Sequence, residues 1–469
     1  MASIHPIQQG RNSNWPSLCS RQSAYSRHSA AGLLLPVGMV RIHPLLLRAY
    51  IIVAGGLVAG MPISGQTARV PRMTSPAEIQ THLEAEPPEL EYAQAAALLD
   101  VETDTVLLEL RGREPWPPAS LTKLVTIYTA LNAAEEGRFD LEQPAPVSPS
   151  AYASAVPPGS SLMFLGPDQI VNGLDLLRGL AIPSGNDAAV EVALRVSGSV
   201  AAFHAEMNET VQSLGYESFH FEDAAGLSAA NRVTAVELAR FARDLIDRWP
   251  WLTEEVFNLQ EFAYPQLRHY PTGGGAGTIR QFNRNGLVGS VEQVDGLKTG
   301  FIEESGYNIA VTAARDGRRM IAVVLGVDGA THSQGGARRE ADAEQLLEWG
   351  FAGYEATQLS VPTADPITLW GTDRRSVTPR AGTAPAIVVP RGQRDAIFGT
   401  IEQPRDLWAP IAQGSVVGTV RYAVAGTVVH ESSLTIETEI PRGSWFRRAV
   451  DRFRWWLQQI FGSRGAPGA

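Results

Sequence analysis

The chain of 469 residues is 44% hydrophobic and 19% charged, which is enough apolar material for two or three folded domains. Its formal net charge of −10 gives no electrostatic reason to expect a nucleic-acid partner. The single cysteine, Cys19, excludes an internal disulfide, and the nine scattered histidines lack the spacing of a metal site, so neither a metal nor another cofactor is predicted.

Residues 1–68 have the pattern of an N-terminal extension with an export signal. Basic residues between Arg41 and Arg48 precede an apolar run over 49–59, and small residues follow that run. We therefore expect the protein to be exported, with Met39 as a candidate start. An uncleaved single membrane span is the alternative, because the apolar run is only slightly short for one.

The segment 69–355 is predicted to form the first domain, with strands at both of its sequence ends and helices between them. Two apolar runs joined by a tight turn predict strands over 93–100 and 105–111, and an Asp-Gly turn predicts a hairpin over 306–327. Glycines at 273–275 indicate a further, flexible hairpin. Helical patterns lie at 121–136, 187–196, 201–214, 234–249 and about 338–350. This order predicts an α/β (α+β) fold in which one antiparallel sheet is flanked by helices.

The pattern changes near Ser360 to short strands rich in β-branched residues, which predicts a small all-β domain over 356–440. The last segment, 441–469, predicts a helix that begins after Ser444. One face of this helix carries Trp445, Ala449, Phe453, Trp456, Leu457 and Ile460. Arginines border this face, as is typical of a helix that lies in the interface of an anionic membrane. Docking of the helix on its own protein is the alternative.

The 39 basic residues include only two lysines, and both lie in short motifs. The motifs, in chain order, are Ser-Leu-Thr-Lys (120–123), Ser-Gly-Asn (184–186) and Lys-Thr-Gly (298–300). Each motif alone arises readily by chance. A general bias toward arginine explains why lysine is rare, but it does not explain where the two exceptions lie.

Ser120 and Lys123 are three residues apart at the start of a predicted helix, so their side chains point to the same side. Arginine stays protonated in proteins, whereas a buried lysine loses its proton more easily. A neutral Lys123 can then take the proton of Ser120, which predicts Ser120 as a nucleophile and Lys123 as its general base.

The other two motifs contain groups that can bind a substrate or relay a proton. Ser184 can relay a proton and Asn186 can hold a carbonyl, although both residue types are also common helix N-caps. Residues 298–300 lie at a predicted strand edge, which suits an extended anionic peptide. There Gly300 permits close approach, Thr299 can bond a carboxylate and Lys298 supplies positive charge. An exposed edge-strand lysine that prevents aggregation is the alternative for Lys298.

Together, the three motifs resemble the signature of penicillin-binding proteins and class A β-lactamases. Longer strings resemble the D-alanyl-D-alanine carboxypeptidases of low molecular mass over roughly residues 85–461; they include PASLTKLVT, LAIPSGNDAAVEVA and NRNGLVGSVEQVDGLKTG. The resemblance implies a β-lactamase/transpeptidase-like catalytic domain over 69–355. It also implies a C-terminal helix that tethers a periplasmic enzyme to the outer face of the cytoplasmic membrane.

The resemblance further implies an acyl-enzyme mechanism. Ser120 would attack the carbonyl of the penultimate D-alanine of a peptidoglycan stem pentapeptide, and water would hydrolyse the resulting ester. β-Lactams would acylate the same serine and remain attached. The backbone N–H groups of Ser120 and Phe301 are expected to form the oxyanion hole. Arg339 is expected to bind the free carboxylate of the chain end, with Arg284 supporting the strand edge.

The chain departs from the family pattern at Phe301 and Ile302, where many relatives have histidine and threonine. This departure bears on substrate preference and deacylation rate, because the backbone role of residue 301 does not depend on its side chain. A DD-endopeptidase would use the same residues, whereas Gly185 and the extra β domain disfavour a β-lactamase. A catalytically silent wall-binding or sensor protein is the alternative from another class. His332 is interpreted as a solvated loop residue, and a position lining the cleft near Arg339 is the alternative.

Overall fold

The structure is a computed structural model that describes residues 87–275, 277–424 and 426–461. The predicted N-terminal extension and export signal over 1–68, with Cys19 and Met39, lie outside the described residues, as does the alternative of a membrane span there. No helix in the described part of the chain combines the length and apolar composition that crossing a membrane requires.

The first domain is built on a five-stranded antiparallel sheet in the order β2-β1-β9-β8-β7. Its elements, in chain order, are β1 (Ala95–Asp100), β2 (Thr105–Leu110), α1 (Thr122–Glu135), β3 (Ala145–Pro146), β4 (Ile170–Val171), α2 (Gly173–Ala181), α3 (Asn186–Ser197), α4 (Val200–Ser213), α5 (Ala235–Arg248), β5 (Glu261–Tyr264), β6 (Ile279–Phe282), β7 (Val294–Ile302), β8 (Gly306–Arg315), β9 (Arg318–Val327) and α6 (His332–Gly353).

Both faces of the sheet are buried, because successive residues of its strands alternate between two apolar cores. In β1, Ala95, Ala97 and Leu99 pack with the residues of helices α1 to α5. The intervening Ala96 and Leu98 pack on the other face with residues of α6. Burial on both faces requires near-continuous apolar strands. The predicted antiparallel sheet with helices on its two sides is therefore confirmed.

Most predicted elements are present with shifts of one or two residues at their ends, but the start of α6 was predicted wrongly. The helix begins at His332, where the side chain of Thr331 accepts a hydrogen bond from the Gln334 amide at 3.2 Å. Its first turns contain two glycines and no apolar periodicity, so the sequence pattern indicated a helix only from about residue 338. The glycine run at 273–275 lies in the connection between the paired strands β5 and β6, as a hairpin requires.

The all-β domain is confirmed, whereas its exact limits, 356–440, stay a prediction. Strand β10 follows α6 without a break and pairs with β14, and two further sheets have the orders β12-β11-β16 and β13-β18-β17-β15. The elements are β10 (Tyr354–Gln358), β11 (Ile367–Trp370), β12 (Ser376–Val377), β13 (Arg380–Ala381), β14 (Ala386–Pro390), β15 (Ile397–Glu402), β16 (Asp406–Trp408), β17 (Val416–Val424), β18 (Thr427–Thr435) and the final helix α7 (Trp445–Phe461).

Helix α7 contacts the β domain through one side only. The buried Asp451 carboxylate accepts a hydrogen bond from the Gly371 amide at 3.0 Å, and the Trp455 ring lies edge-on to Trp408 at 6.2 Å. The predicted apolar face points away from these contacts, and Trp445, Ala449, Phe453 and Trp456 on it are exposed. The side chain of Ile460 lies outside the described residues. The helix is thus docked on its own protein by the side that carries Asp451 and Trp455. On the predicted apolar face, Leu457 is half-buried and the other four described side chains are exposed.

A buried ion pair joins the end of β1 to the beginning of β9, and it yields a stability prediction. The fully buried Asp100 carboxylate accepts from Arg318 Nη2 at 2.6 Å, and Arg318 Nη1 donates to the Tyr354 carbonyl at 2.7 Å. Removal of the acid leaves a cation that is largely buried and unpaired. We expect Asp100→Ala to lower the free energy of unfolding by about 3–5 kcal/mol in urea denaturation.

The matched control is Glu261→Ala, which breaks an ion pair of the same domain with Arg280 whose two side chains are exposed. Exposed pairs contribute about 0–1 kcal/mol, so the control should unfold almost like the unmodified protein. Equal losses in the two variants would contradict the importance assigned to burial of Asp100.

Candidate active site

The candidate nucleophile lies on a tight turn at the entrance to α1. Ser120 is the middle residue of a 3₁₀ turn, Ala119–Leu121, which leads directly into the helix. The hydroxyl faces a cleft of about 480 Å³ between the sheet edge β7 and the helical part of the domain. The Leu121 amide of this turn donates to the Pro118 carbonyl at 3.2 Å, whereas the Ser120 amide precedes the helix and has no partner within it.

Lys123 lies directly beneath Ser120 and is completely buried. Its Nζ is 3.0 Å from Ser120 Oγ, 2.8 Å from Asn186 Oδ1 and 2.6 Å from the Ala225 carbonyl oxygen. The last two partners only accept hydrogen bonds. A neutral amine has two N–H groups to satisfy them, which leaves its lone pair for the serine hydroxyl. The same three contacts also suit an ammonium ion, which would donate to the serine oxygen while the Ser120 hydroxyl donates to the Ala225 carbonyl at 3.3 Å. The pKa of the amine therefore decides which form is present.

The electrostatics of the site shift the amine toward its neutral form. Burial lowers the pKa of Lys123 to about 7, and the positive charge of Arg284 acts in the same direction. Asp223 and Asp187 raise the pKa, but neither carboxylate forms an ion pair with the amine. A base with a pKa close to neutrality is effective near neutral pH.

The Ala225 carbonyl is positioned by a loop that the sequence analysis missed. Asp223 Oδ1 accepts from the amides of Ala225, Gly226 and Leu227, and Oδ2 accepts from the Ser228 amide at 2.7 Å. Thr126 of α1 donates to the Ala224 carbonyl at 2.6 Å, which fixes the loop to the helix that carries Lys123. An Asp followed by Gly three residues later is a turn signal that could have indicated this loop.

The Ser-Gly-Asn motif supplies two side chains to the site, and neither caps α3. Gly185 occupies the N-cap position of α3, and Asn186 is its first residue. The Ser184 hydroxyl is buried and has no hydrogen-bond partner among the described residues, and its backbone φ of +63° is unusual for a residue with a side chain. The alternative of a simple N-cap role is therefore wrong. Asp187 holds this loop by accepting from the Met163 and Leu165 amides at 2.7 and 2.9 Å.

Strand β7 passes close to the nucleophile turn at Gly300. A Cβ on Gly300 would lie 2.8 Å from the Pro118 carbonyl oxygen and 3.0 Å from the Ser120 amide nitrogen, which is too close for any side chain. Glycine at this position therefore sets the narrow spacing between the strand edge and Ser120. Thr299 and Phe301, on either side of Gly300, both line the cleft.

Lys298 is not the exposed edge-strand lysine of the alternative interpretation, because it is only 1% exposed. Its Nζ donates to the Thr299 carbonyl at 2.9 Å. Burial lowers the pKa of Lys298 well below its usual value, and repulsion from Lys123, Arg284 and Arg339 adds to the effect. The positive charge that the sequence analysis expected Lys298 to supply is therefore opposed by its surroundings.

Two arginines also line the cleft, in positions that differ in part from the predicted ones. Arg339, on α6, is buried, and its Nη groups lie 3.5 Å from the Gly300 carbonyl oxygen and 3.2 Å from that of Arg284. Its Nε has no partner among the described residues. Arg284 was expected to support the strand edge, but its Nε donates to the Pro183 carbonyl at 2.9 Å and so supports the loop before Ser184.

The structure thus brings the three motifs and both arginines to one cleft. Eight predicted residues line it directly, namely Ser120, Ser184, Asn186, Arg284, Thr299, Gly300, Phe301 and Arg339, and the two lysines lie buried behind them. The lining residues that were not predicted are Gly159, Ser160, Ser161, Gly226, Leu227 and Tyr307. His332 is exposed, as predicted, but it is the first residue of α6 and lines the cleft, so its interpretation as a loop residue is wrong and the alternative is confirmed. No group of acidic, histidine or cysteine side chains in the described ranges could hold a metal ion.

Comparison with known proteins assigns the domains to known families. Residues 81–329 match the family model for D-alanyl-D-alanine carboxypeptidase, and residues 363–442 match that for the C-terminal domain of penicillin-binding protein 5. The D-alanyl-D-alanine carboxypeptidase DacC of Escherichia coli is 33% identical over 379 residues, which cover 79% of this chain and 90% of that protein.

Two solved structures show the same likeness in three dimensions. Penicillin-binding protein 5 from Haemophilus influenzae is 30% identical with a TM-score of 0.65, and the match covers 76% of this chain and 99% of that chain. Penicillin-binding protein 6B from Escherichia coli is 30% identical with a TM-score of 0.59, covering 75% and 97%. The fold of this chain is therefore similar to that of these two proteins over about three quarters of its length.

The lysine geometry yields a prediction for the pH dependence of acylation. Lys123 accepts the serine proton only in its neutral form, whose fraction grows as the pH rises through a pKa of about 7. We expect the rate of acylation of Ser120 by a thioester, followed by mass spectrometry, to increase from pH 5 to pH 9 with its midpoint near that value.

Lys123→Arg is the informative variant, because it keeps the positive charge but cannot lose its proton. Its acylation should be at least ~100-fold slower at every pH, the usual size of a lost general base. A rate in the unmodified protein that does not change with pH, or near-normal acylation of Lys123→Arg, would show that Lys123 is not the base.

Proposed function

The chain belongs to the D-alanyl-D-alanine carboxypeptidase family, and from its cleft we infer how it acts as a serine peptidase of cell-wall metabolism. It releases the terminal D-alanine from peptidoglycan stem pentapeptides. The observation that carries the assignment of roles is the buried Lys123 amine, which lies 3.0 Å from the Ser120 hydroxyl at the floor of the cleft. A nucleophile in contact with a neutral base is the arrangement that acyl transfer needs.

In the acylation step, Ser120 Oγ forms a bond to the carbonyl carbon of the penultimate D-alanine as its proton passes to Lys123 Nζ. The carbonyl oxygen becomes an oxyanion, which the amides of Ser120 and Phe301 stabilise. The C–N bond then breaks, and the departing amine takes up a proton as D-alanine leaves. We propose that the Ser184 hydroxyl, which is buried at the cleft and has no hydrogen-bond partner among the described residues, carries this proton from Lys123 to the amine once a substrate is bound.

Recognition of a chain end requires a cation for the terminal carboxylate. Arg339 presents a guanidinium with an unpartnered Nε in the buried wall of the cleft, and Thr299 supplies a hydroxyl beside it. Arginine keeps its charge despite burial, although burial lowers the pKa of Arg339. Arg284 adds a second positive charge and holds the loop that carries Ser184.

Deacylation completes the cycle when water attacks the ester and Ser120 regains its proton. In a β-lactam the leaving nitrogen remains covalently attached to the acyl group after the ring opens, so it cannot diffuse away and leave room for water. The same serine is therefore acylated by β-lactams and released slowly. Asn186, whose Oδ1 is bonded to Lys123, retains its amide N–H groups for the substrate carbonyl.

We also propose that α7 attaches the enzyme to the outer face of the cytoplasmic membrane. Trp445, Phe446, Phe453 and Trp456 are all more than half exposed, while Asp451 and Trp455 fix the opposite side of the helix to the β domain. The helix is therefore oriented with its aromatic side outward, and exposed arginines flank that side. Large exposed apolar patches mark interaction surfaces, and this composition suits anionic lipid. Export to the periplasm, proposed from residues 1–68, would bring the enzyme to its substrate.

The function is tested by labelling with a fluorescent penicillin together with an assay of D-alanine release. The unmodified protein should be labelled covalently and should release D-alanine from a blocked tripeptide that ends in D-alanyl-D-alanine. Ser120→Ala should do neither, because it lacks the nucleophile. Ser213→Ala, at the exposed end of α4, is the matched control and should behave like the unmodified protein. Labelling of Ser120→Ala at a normal rate would refute the assignment.

The membrane proposal is tested with a triple variant, Trp445→Ser, Phe453→Ser and Trp456→Ser, in sedimentation with vesicles that contain anionic lipid. We expect at least ~10-fold weaker binding, because the apolar area that enters the interface is lost. Release of D-alanine from the soluble tripeptide should remain normal.

The matched control replaces two exposed apolar residues of the β domain that lie outside α7, Phe398→Ser and Val416→Ser. This control should bind vesicles like the unmodified protein, since only α7 is expected to enter the interface. Equal binding by the triple variant and the control would exclude α7 as the membrane anchor.

A further inference from the structure

Three aromatic rings form one side of the cleft next to the Lys-Thr-Gly motif. Phe301 stacks on Tyr307 with ring centroids 4.3 Å apart, and the His332 ring lies edge-on to Phe301 at 4.8 Å. All three residues line the cleft. We refer to Phe301, Tyr307 and His332 as the aromatic wall.

The aromatic wall is fixed by the backbone around it. Phe301 of β7 and Tyr307 of β8 are paired across the sheet edge, so their side chains lie on the same face. The Tyr307 hydroxyl is 3.0 Å from His332 Nδ1, which ties the wall to the start of α6. A Cβ on Gly335 would lie 2.1 Å from the Tyr307 ring, so the ring fits against this helix only because residue 335 is glycine.

The aromatic wall lies on the side of the cleft where the departing residue must be. Phe301 directly follows Gly300, whose carbonyl is within 3.5 Å of Arg339, and the Arg339 guanidinium is 6.0 Å from the centre of the Tyr307 ring. Arg339 and Thr299 are the proposed partners of the terminal carboxylate. The residue that carries this carboxylate, and that leaves in the acylation step, therefore has its side chain close to the wall.

Next to the aromatic wall, the lining of the cleft favours an apolar side chain on the departing residue over a basic one. Among the residues that the structure describes, none of those lining the cleft is acidic, and Arg284 and Arg339 are both cationic. Glu340 lies 3.8 Å from Arg339 but does not line the cleft, so a basic side chain on the departing residue would meet like charges and no acidic group in the cleft lining. An apolar side chain would instead lie against aromatic rings, where apolar surface is removed from water.

We propose that the aromatic wall is a subsite for the side chain of the departing residue, and that it allows the enzyme to release apolar D-amino acids larger than D-alanine. This inference rests on the proposed carboxypeptidase function and adds a substrate class to it. The bond that breaks is the same amide, and the larger residue leaves as a free amino acid with its amine protonated. Each methylene that becomes buried against the wall strengthens binding by roughly fourfold.

The test compares blocked tripeptides that are identical except for their last residue: D-alanine, D-leucine, D-methionine or D-lysine. We expect kcat/KM for the D-leucine and D-methionine peptides to equal or exceed that for the D-alanine peptide. The D-lysine peptide should be at least ~10-fold poorer than the D-leucine peptide, because its side chain faces two arginines. Slower release of D-leucine than of D-alanine, or equal release of D-lysine and D-leucine, would overturn the subsite.

A variant assigns the preference to the wall itself. In Phe301→Ser, which keeps the backbone amide, the ratio of kcat/KM for D-leucine to that for D-alanine should fall about tenfold. In the matched control Phe398→Ser, an exposed phenylalanine of the β domain, the ratio should not change. An unchanged ratio in Phe301→Ser would overturn the role of the wall.

Penicillin labelling separates failure of this inference from failure of the proposed function. If the unmodified protein is labelled and releases D-alanine but discriminates against D-leucine, only the subsite is wrong. If it is neither labelled nor active on any peptide, the proposed function itself fails. If Phe301→Ser cannot be labelled because its site is disrupted, the four-peptide comparison in the unmodified protein decides the question alone.

Discussion

The whole site depends on one buried amine that can lose its proton. Lys123 Nζ is surrounded by Ser120 Oγ, Asn186 Oδ1 and the Ala225 carbonyl, with no solvent exposure. In the neutral form the two N–H groups of the amine can serve the two carbonyl-type acceptors, and its lone pair can then take the serine proton. An exposed lysine would remain almost fully protonated at neutral pH, so the activity of Ser120 is a consequence of how completely the fold encloses its neighbour.

Burial can lower the pKa of Lys123 because the nearby carboxylates are hydrogen-bonded to backbone amides and do not form ion pairs with the amine. Asp223 and Asp187 are close enough to raise the pKa of Lys123, and an ion pair with either would keep the amine charged. Both carboxylates instead accept hydrogen bonds from backbone amides: Asp223 from residues 225–228, and Asp187 from Met163, Leu165 and Ala188. The same bonds shape the two loops that carry the Ala225 carbonyl and the Ser-Gly-Asn motif. The two carboxylates, which would keep Lys123 protonated if they paired with it, thus instead stabilise the loops that form the site.

The sequence predicted those parts of the site that depend on the chemistry of particular side chains. It did not predict the parts that depend on backbone amides or on the absence of a side chain at a glycine. The rarity of lysine pointed to residues 123 and 298, and apolar runs separated by turn residues predicted the sheet on which β7 lies. The Asp223 loop was missed because its partners are amides that every residue has. The start of α6 was missed because Gly335, which weakens a helical pattern, is there to make room for the Tyr307 ring. The aromatic wall was missed in turn, since it exists only where β7, β8 and α6 meet.

Lysine and arginine have different roles in the cleft because a buried lysine can lose its proton and a buried arginine cannot. At the reacting centre a cation that can never be neutral would be useless as a base, and only lysine meets that need. At the carboxylate position the demand is reversed, because a group that lost its charge on burial would no longer attract the chain end. Arg339 is buried almost as completely as the lysines, and burial lowers its pKa as well. Its ordinary pKa is so high, however, that it remains charged, and its planar group suits a carboxylate. Exchange of the two residue types would therefore remove both functions at once, although the net charge of the cleft at low pH would be the same.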